Sequence, residues 1–168
     1  NNRLTAQANS MVGSLQLARS EAVKRNATVT ICRSNNPTNV SPTCATGATG
    51  ATGTTVRPEY WGRGWVVFVD NGAKAGTIDA GEVILQQHEA LSGGNSLDGT
   101  GPSTSTALEM HNVISYGGTG FVTTKAGTLA LCDNRNESWG KEIIISTTGH
   151  ISTISAPIDI VAIANCSP

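Results

Sequence analysis

Two hydrophobic rhythms divide this chain. Leu4, Ala8, Met11, Leu15, Ala18 and Ala22 follow alternating steps of four and three, which stacks their side chains on one stripe of an α-helix, with Val12 and Val23 beside it. A helix is predicted as far as Arg25. Asn1, Asn2 and Arg3 lead straight into the stripe with no hydrophobic staple before it, so residue 1 reads as a cut through a longer helix whose first half lies upstream. Such a helix, entering from outside the chain, implies an anchor. After Arg25 the long period does not return. Short runs rich in Val, Ile, Thr and aromatic residues alternate with clusters of Gly, Asn, Asp, Ser and Thr, and predict strands at 28–32, 65–70, 82–88, 113–116, 129–132, 141–146 and 158–164. Their apolar faces need a cover, which the helix stripe supplies. The result is an α+β arrangement without an internal boundary: 1–168 is one domain, with 1–25 its helix and 26–168 its β part. The Ala/Thr/Gly tract 44–55 and the Gly/Ser/Thr-rich stretch 92–106 read as mobile surface loops.

Composition sharpens this reading. Charged residues make up only 14% and aromatics 4%, while glycine reaches 19, which fits short strands and many turns better than a bundle or an acidic disordered chain. A net charge of -1 argues against a dominant phosphate-binding surface. No run of about 18 apolar residues is present, so the given chain does not itself supply a spanning helix.

Four cysteines allow three pairings, and the absence of C-x-x-C or a close Cys/His cluster makes structural zinc a poor explanation. We pair Cys32 with Cys44, stapling the loop after the first strand, and Cys132 with Cys166, tying a late strand to the C-terminal tail. Each closure would contribute roughly 3 kcal/mol by restricting the unfolded chain. Such bonds imply an oxidising compartment such as a bacterial periplasm.

The helix ends in Leu17-Ala18-Arg19-Ser20-Glu21-Ala22-Val23-Lys24-Arg25, followed by Val29-Thr30-Ile31-Cys32-Arg33. This stretch resembles the GspH/FimT family of type IV pilin-like proteins, which includes minor pilins and the H pseudopilin of type II secretion. The likeness continues through Trp61-Gly62-Arg63-Gly64-Trp65-Val66-Val67-Phe68-Val69-Asp70, similar to the family's Trp-rich strand, then Asn71-Gly72 with Asp79, Gly81 and Glu82. It reaches Gly127-Thr128-Leu129-Ala130-Leu131-Cys132-Asp133 and Cys166. The resemblance implies a type IV pilin-like fold, with one long N-terminal α-helix packed on a two-sheet antiparallel β-sandwich-like domain. It also implies a cleaved leader and a hydrophobic half-helix, both lying before Asn1, that sit in the inner membrane before assembly and in the filament core afterwards.

The implied function is structural: a minor pilin that primes or joins the tip of a type IV pilus, supporting twitching motility and adhesion. Its partners would be other minor pilins and the major pilin. The alternative is the H pseudopilin that primes a secretion pseudopilus with other pseudopilins; Cys132 and Cys166 favour the pilus branch, whose members carry such a C-terminal pair. The expected partner face is the polar side of the helix, with Arg3, Gln7, Ser14, Glu21 and Lys24. No catalytic, cofactor or metal site is expected.

Other readings are weaker. Asp70-Asn71-Gly72 and Asp79-Ala80-Gly81-Glu82 gather three carboxylates and an amide, but calcium wants 6 to 8 oxygen ligands and the intermediate positions lack them; Asn-Gly is a favoured turn. Some FimT proteins bind DNA in transformation through Gly-Arg-x-Arg. The matching stretch is Gly149-His150-Ile151-Ser152, without either arginine, which leaves Gly149, His150, Arg135 and Lys141 as a weak candidate DNA site. No G-x-S-x-G, P-loop or H-E-x-x-H is present, and His88, His111 and His150 are scattered. Trp65 alternates with Val67 and Val69 and is expected in the core; Trp61 and Trp139 flank polar turns, where an exposed indole could anchor a partner, though core packing is the better reading. Sequons at Asn26, Asn39 and Asn136 are read as coincidences of a Ser/Thr-rich chain.

Overall fold

The computed structural model describes residues 2–45, 61–72, 74–99, 112–133 and 139–157. A helix, α1 (Asn2–Arg25), leads into eight strands: β1 (Val29–Arg33), β2 (Trp65–Val69), β3 (Ile84–His88), β4 (Ser96–Gly99), β5 (Val113–Tyr116), β6 (Gly127–Cys132), β7 (Trp139–Ile145) and β8 (Ile151–Pro157). The helix stops where its sequence stops favouring it. Asn26 takes φ +48°, its N–H donates to the Val23 carbonyl and that of Ala27 to the Ala22 carbonyl, both at 3.2 Å. This pair of bonds is the Schellman closure, and asparagine is among the few side chains that tolerate the left-handed position.

The strands form two four-stranded antiparallel sheets, ordered β3-β2-β1-β5 and β4-β6-β7-β8. Helix α1 contacts strands of both. Its predicted stripe, Leu4, Ala8, Met11, Leu15, Ala18 and Ala22, shares one core with Val29, Ile31, Trp65, Val67, Ile114 and Tyr116 from the first sheet and Leu97, Leu129, Leu131, Ile143 and Ile145 from the second. The expected architecture of one helix over two antiparallel sheets is the one observed.

Strand β2 is buried on both faces. Trp65, Val67 and Val69 face the main core, while Val66 and Phe68 point the other way, into a smaller cluster with Cys32, Cys44, Val113, Ile78 and Ile84. The covering comes from two loops. The first is closed by the Cys32–Cys44 disulfide, 12 residues apart, and organised by Asn36 Oδ1, which accepts from Thr43 N–H at 3.0 Å. In the second, Asp70 Oδ2 accepts from buried Thr30 Oγ1 at 2.7 Å and from Gly76 N–H at 2.8 Å. Cys132 is also disulfide-bonded, whereas its expected partner Cys166 lies outside the described residues, as do the predicted strand 158–164 and residues 46–60 of the low-complexity tract.

Two strands differ from expectation. The stretch 92–106, read as loop, contains β4, because Leu97 lies in the core and residues 96–99 pair with β6 in register Leu97↔Leu131. Strand β8 was not predicted: only Ile151 and Ile154 mark it among small polar residues, and it gains its order by pairing along all seven positions of β7. Trp61 is fully buried in the main core, so it offers no exposed indole. The side chain of Trp139, at the start of β7, lies outside the described set.

Tyr116 brings a hydroxyl into the core without a hydrogen-bond partner. Burial pushes its pKa up to about 12, with the nearby Arg19 charge pulling weakly the other way. The neutral form is therefore favoured by the fold, and the associated stability is intact below about pH 10 and lost as pH rises through 12, by roughly 1.4 kcal/mol per unit. Tyr116→Phe should remove this alkaline loss and leave neutral-pH stability unchanged or slightly higher, since the hydroxyl has no bond to lose. Urea melts at pH 7 and pH 11 test both halves.

Candidate functional site

The helix has three kinds of surface, and its sequence period separates them. At about 100° per residue, Gln7 and Ser14 lie only about 60–80° from the centre of the apolar stripe, Arg3 and Glu21 about 100°, and Lys24 nearly opposite. This corrects the expected partner face. Gln7 and Ser14 are buried: Gln7 Nε2 donates to the Ser92 carbonyl at 2.9 Å and its Oε1 accepts from Asn95 Nδ2 at 2.7 Å. Ser14 Oγ accepts from the buried Trp65 indole N–H at 2.9 Å and donates to the Ser10 carbonyl at 3.1 Å. Arg3 reaches Gly93 O and Asn95 Oδ1. A seven-residue step keeps a residue near its starting face, so these polar groups sit on the shoulder of the stripe and serve the fold. Ser14→Ala should cost about 1–3 kcal/mol in thermal melts, because it leaves the Trp65 N–H buried without an acceptor.

Glu21 and Lys24 remain at the surface. Glu21 accepts from Arg25 Nε at 2.6 Å and from Lys24 Nζ at 3.3 Å, and these two bonds hold its carboxyl below the ordinary range. The outward face carries Ala6, Asn9, Gly13, Gln16 and Ser20, all exposed and uncharged, with Lys24 at its C-terminal end. A Cβ added at Gly13 would meet nothing within 4 Å.

At the C-terminal end of α1, Arg19 joins the helix to both sheets. Its Nε donates to the Gly120 carbonyl at 3.1 Å and its NH2 group to the Thr148 carbonyl at 3.2 Å. Gly120 closes the turn after β5 and Gly149 the β7–β8 turn; both hold positive φ, +78° and +77°. The two turns meet directly, with Val122 N–H donating to the Thr147 carbonyl at 3.0 Å. Arg19 and Gly120 escaped sequence reasoning as functional positions, although Arg19 stood inside the segment that carried the family resemblance.

The weak DNA candidates do not converge. Gly149 and His150 belong to the β7–β8 turn, Lys141 lies at the far end of β7 with its Nζ donating to Ser155 Oγ at 2.7 Å, and Arg135 lies outside the described residues. The acidic loop is occupied by its own backbone. Glu82 accepts from the Asn71, Gly72 and Asp79 N–H groups at 2.7–2.9 Å, and Asp79 from Lys74 N–H at 3.0 Å. Among the described residues no group of His, Cys, Asp and Glu is arranged to hold a metal. His88 stacks on Trp65 with ring centroids 3.8 Å apart, and His111 lies outside the described residues.

A sequence model of the family described as type II transport protein GspH matches residues 7–149. The chain belongs to the GspH family of type IV pilin-like proteins. Crystal structures of the type IV minor pilin FimU from Pseudomonas aeruginosa resemble it, one at 20% identity and TM-score 0.62, covering 94% of this chain and 94% of FimU. The minor pseudopilin EpsH of the type 2 secretion system of Vibrio cholerae is similar at 12% identity and TM-score 0.56, covering 91% of this chain and 97% of EpsH. At such identities the likeness is one of fold. No curated protein sequence matches significantly. GspH-family proteins are structural pilins and pseudopilins that assemble with others of their kind. In the described residues no helix is long and apolar enough to cross a membrane.

Proposed function

We propose that this chain is a minor pilin that primes or joins the tip of a type IV pilus and so supports twitching motility and adhesion. The observation that carries the proposal is the division of labour on α1: one side is buried in the core, and the opposite side, from Ala6 to Ser20, carries no charge and is centred on a glycine whose missing side chain would pack on nothing in the described fold. Helix axes approach to 8–10 Å when the side chains between them are small, so this face suits the helices of neighbouring subunits. The proposed partner face is therefore Ala6, Asn9, Gly13, Gln16 and Ser20. An upstream half-helix would hold the subunit in the inner membrane, with the β domain in the periplasm, until assembly draws it into the filament.

The pseudopilin reading is supported by the family description and by the likeness to EpsH. The bonded state of Cys132 supports the pilus branch. A role as a DNA-binding pilin is disfavoured by His150 and Ser152 in place of arginines. Deleting the gene separates the readings: loss of surface pili and twitching with secretion intact is the expected result. Pili retained with secretion lost would establish the pseudopilin instead.

A further inference from the structure

The end of α1 and the β7–β8 turn enclose an open cleft of about 700 Å³. Arg19, Lys24 and His150 line it together with the apolar Val23 and Ile151, and no carboxylate does among the described residues. The apolar ground extends beyond the cleft. Val23 is 52% exposed and Phe121 55%, and Phe121 follows Gly120, whose backbone lies against Val23. The cations are also available. Arg19 is fixed by two carbonyls, which leaves three of its five N–H donors for a further acceptor. Lys24 is tied only by a solvent-screened pair with Glu21, its side chain 74% exposed, and such a pair costs little to exchange.

We infer that this cleft receives a carboxylate-bearing segment of a neighbouring pilin-like subunit, an inference that rests on the assembly role proposed above. A carboxylate with an adjacent apolar side chain matches the site on both counts: the carboxylate takes the spare Arg19 donors and Lys24, and the apolar group covers Val23 and Ile151. Arg19 is held in place before the partner arrives, so little side-chain entropy is lost on docking. Nucleic acid fits less well. Tracking phosphates takes a series of cations, whereas this surface sets Val23 and Ile151 among its cations and the turn supplies His150 and Ser152 where arginines would be needed.

The test uses the purified soluble domain of each other pilin-like subunit from the same filament, titrated against this domain by calorimetry at low and high salt. Wild type should bind at least one of them, and more weakly at high salt. Lys24→Glu, His150→Glu and Val23→Asp all change exposed side chains, so melting temperatures should stay near wild type while Kd rises about tenfold or more. Changing the partner's contacting carboxylate to lysine should restore binding to Lys24→Glu. If all three variants bind a subunit as wild type does, the cleft assignment is overturned while the assembly role stands. If no subunit binds and deletion leaves filaments and secretion unaltered, both fall. Binding of a short DNA duplex that the same variants abolish, without binding of any subunit, would overturn the inference in favour of nucleic acid.

Discussion

Gly149→Ala is expected to destabilise the domain by about 3 kcal/mol, a large loss for a single methyl group. Two costs add. At φ +77° a Cβ is opposed by the following carbonyl, which costs about 1–2 kcal/mol. The added methyl would also run into the Gly120 carbonyl oxygen and lie 3.1 Å from Arg19 Nε and 3.3 Å from Tyr116 Cε1, an overpacking worth about 1–3 kcal/mol. Two other glycines calibrate the effect. Gly120→Ala carries the same backbone cost, but its Cβ would touch Val23 Cγ2 at 3.1 Å and Arg19 Nε at 3.4 Å, side-chain atoms that can yield. A loss of about 2 kcal/mol follows. Gly81, at φ +91° with nothing within 4 Å, isolates the backbone cost at about 1 kcal/mol. Urea midpoints of the three variants should fall in that order, and equal losses would mean that the junction between the two turns is not close-packed. Because Arg19 binds the Thr148 carbonyl beside Gly149, Arg19→Ala and Gly149→Ala should also be coupled, by about 0.5–3 kcal/mol in a double-mutant cycle.

The same junction shows which parts of the structure the sequence made legible. The apolar stripe of α1 was readable because one period runs through six residues, and all six lie in the core. Strand β2 was readable because Trp65, Val67 and Val69 alternate with Val66 and Phe68, although alternation did not reveal that both faces would be covered; that depends on the disulfide loop and on Ile78, distant in sequence. Strand β4 was not readable because a single core leucine, Leu97, marks it, and β8 because few apolar residues mark it and it pairs along the whole of β7. The burial of Gln7 and Ser14 was not legible for a related reason. Polarity does not imply exposure here: Gln7 and Ser14 are polar because Asn95, Ser92 and the Trp65 indole require partners in the interior. Buried polar groups are nearly always matched in this way, and the matching residue lies 51 to 88 positions away. The arginine that joins helix to turns acts through backbone carbonyls, which leave no side-chain signature at the other end.

Gly13→Ala and Gly13→Arg are expected to separate the stability of the domain from its capacity to assemble. Glycine within a helix costs about 0.5–1 kcal/mol relative to alanine, and since no atom lies within 4 Å of its missing Cβ, nothing in this chain's described fold is returned for that cost. Gly13→Ala should therefore raise the urea midpoint of the soluble domain, and Gly13→Arg, whose side chain reaches only solvent, should leave it near wild type. In the filament the order should reverse. A methyl group on the outward face would move an apposed helix slightly, whereas an arginine at its centre would hold the two axes beyond the 8–10 Å of normal packing and bury an unmatched charge. Chromosomal Gly13→Arg should abolish surface filaments to the level of a deletion while the protein accumulates normally on immunoblots, and Gly13→Ala should reduce them only partly. A fully piliated Gly13→Arg strain would mean that this face meets solvent in the assembled state, and the reason for a glycine there would have to be sought in the helix itself.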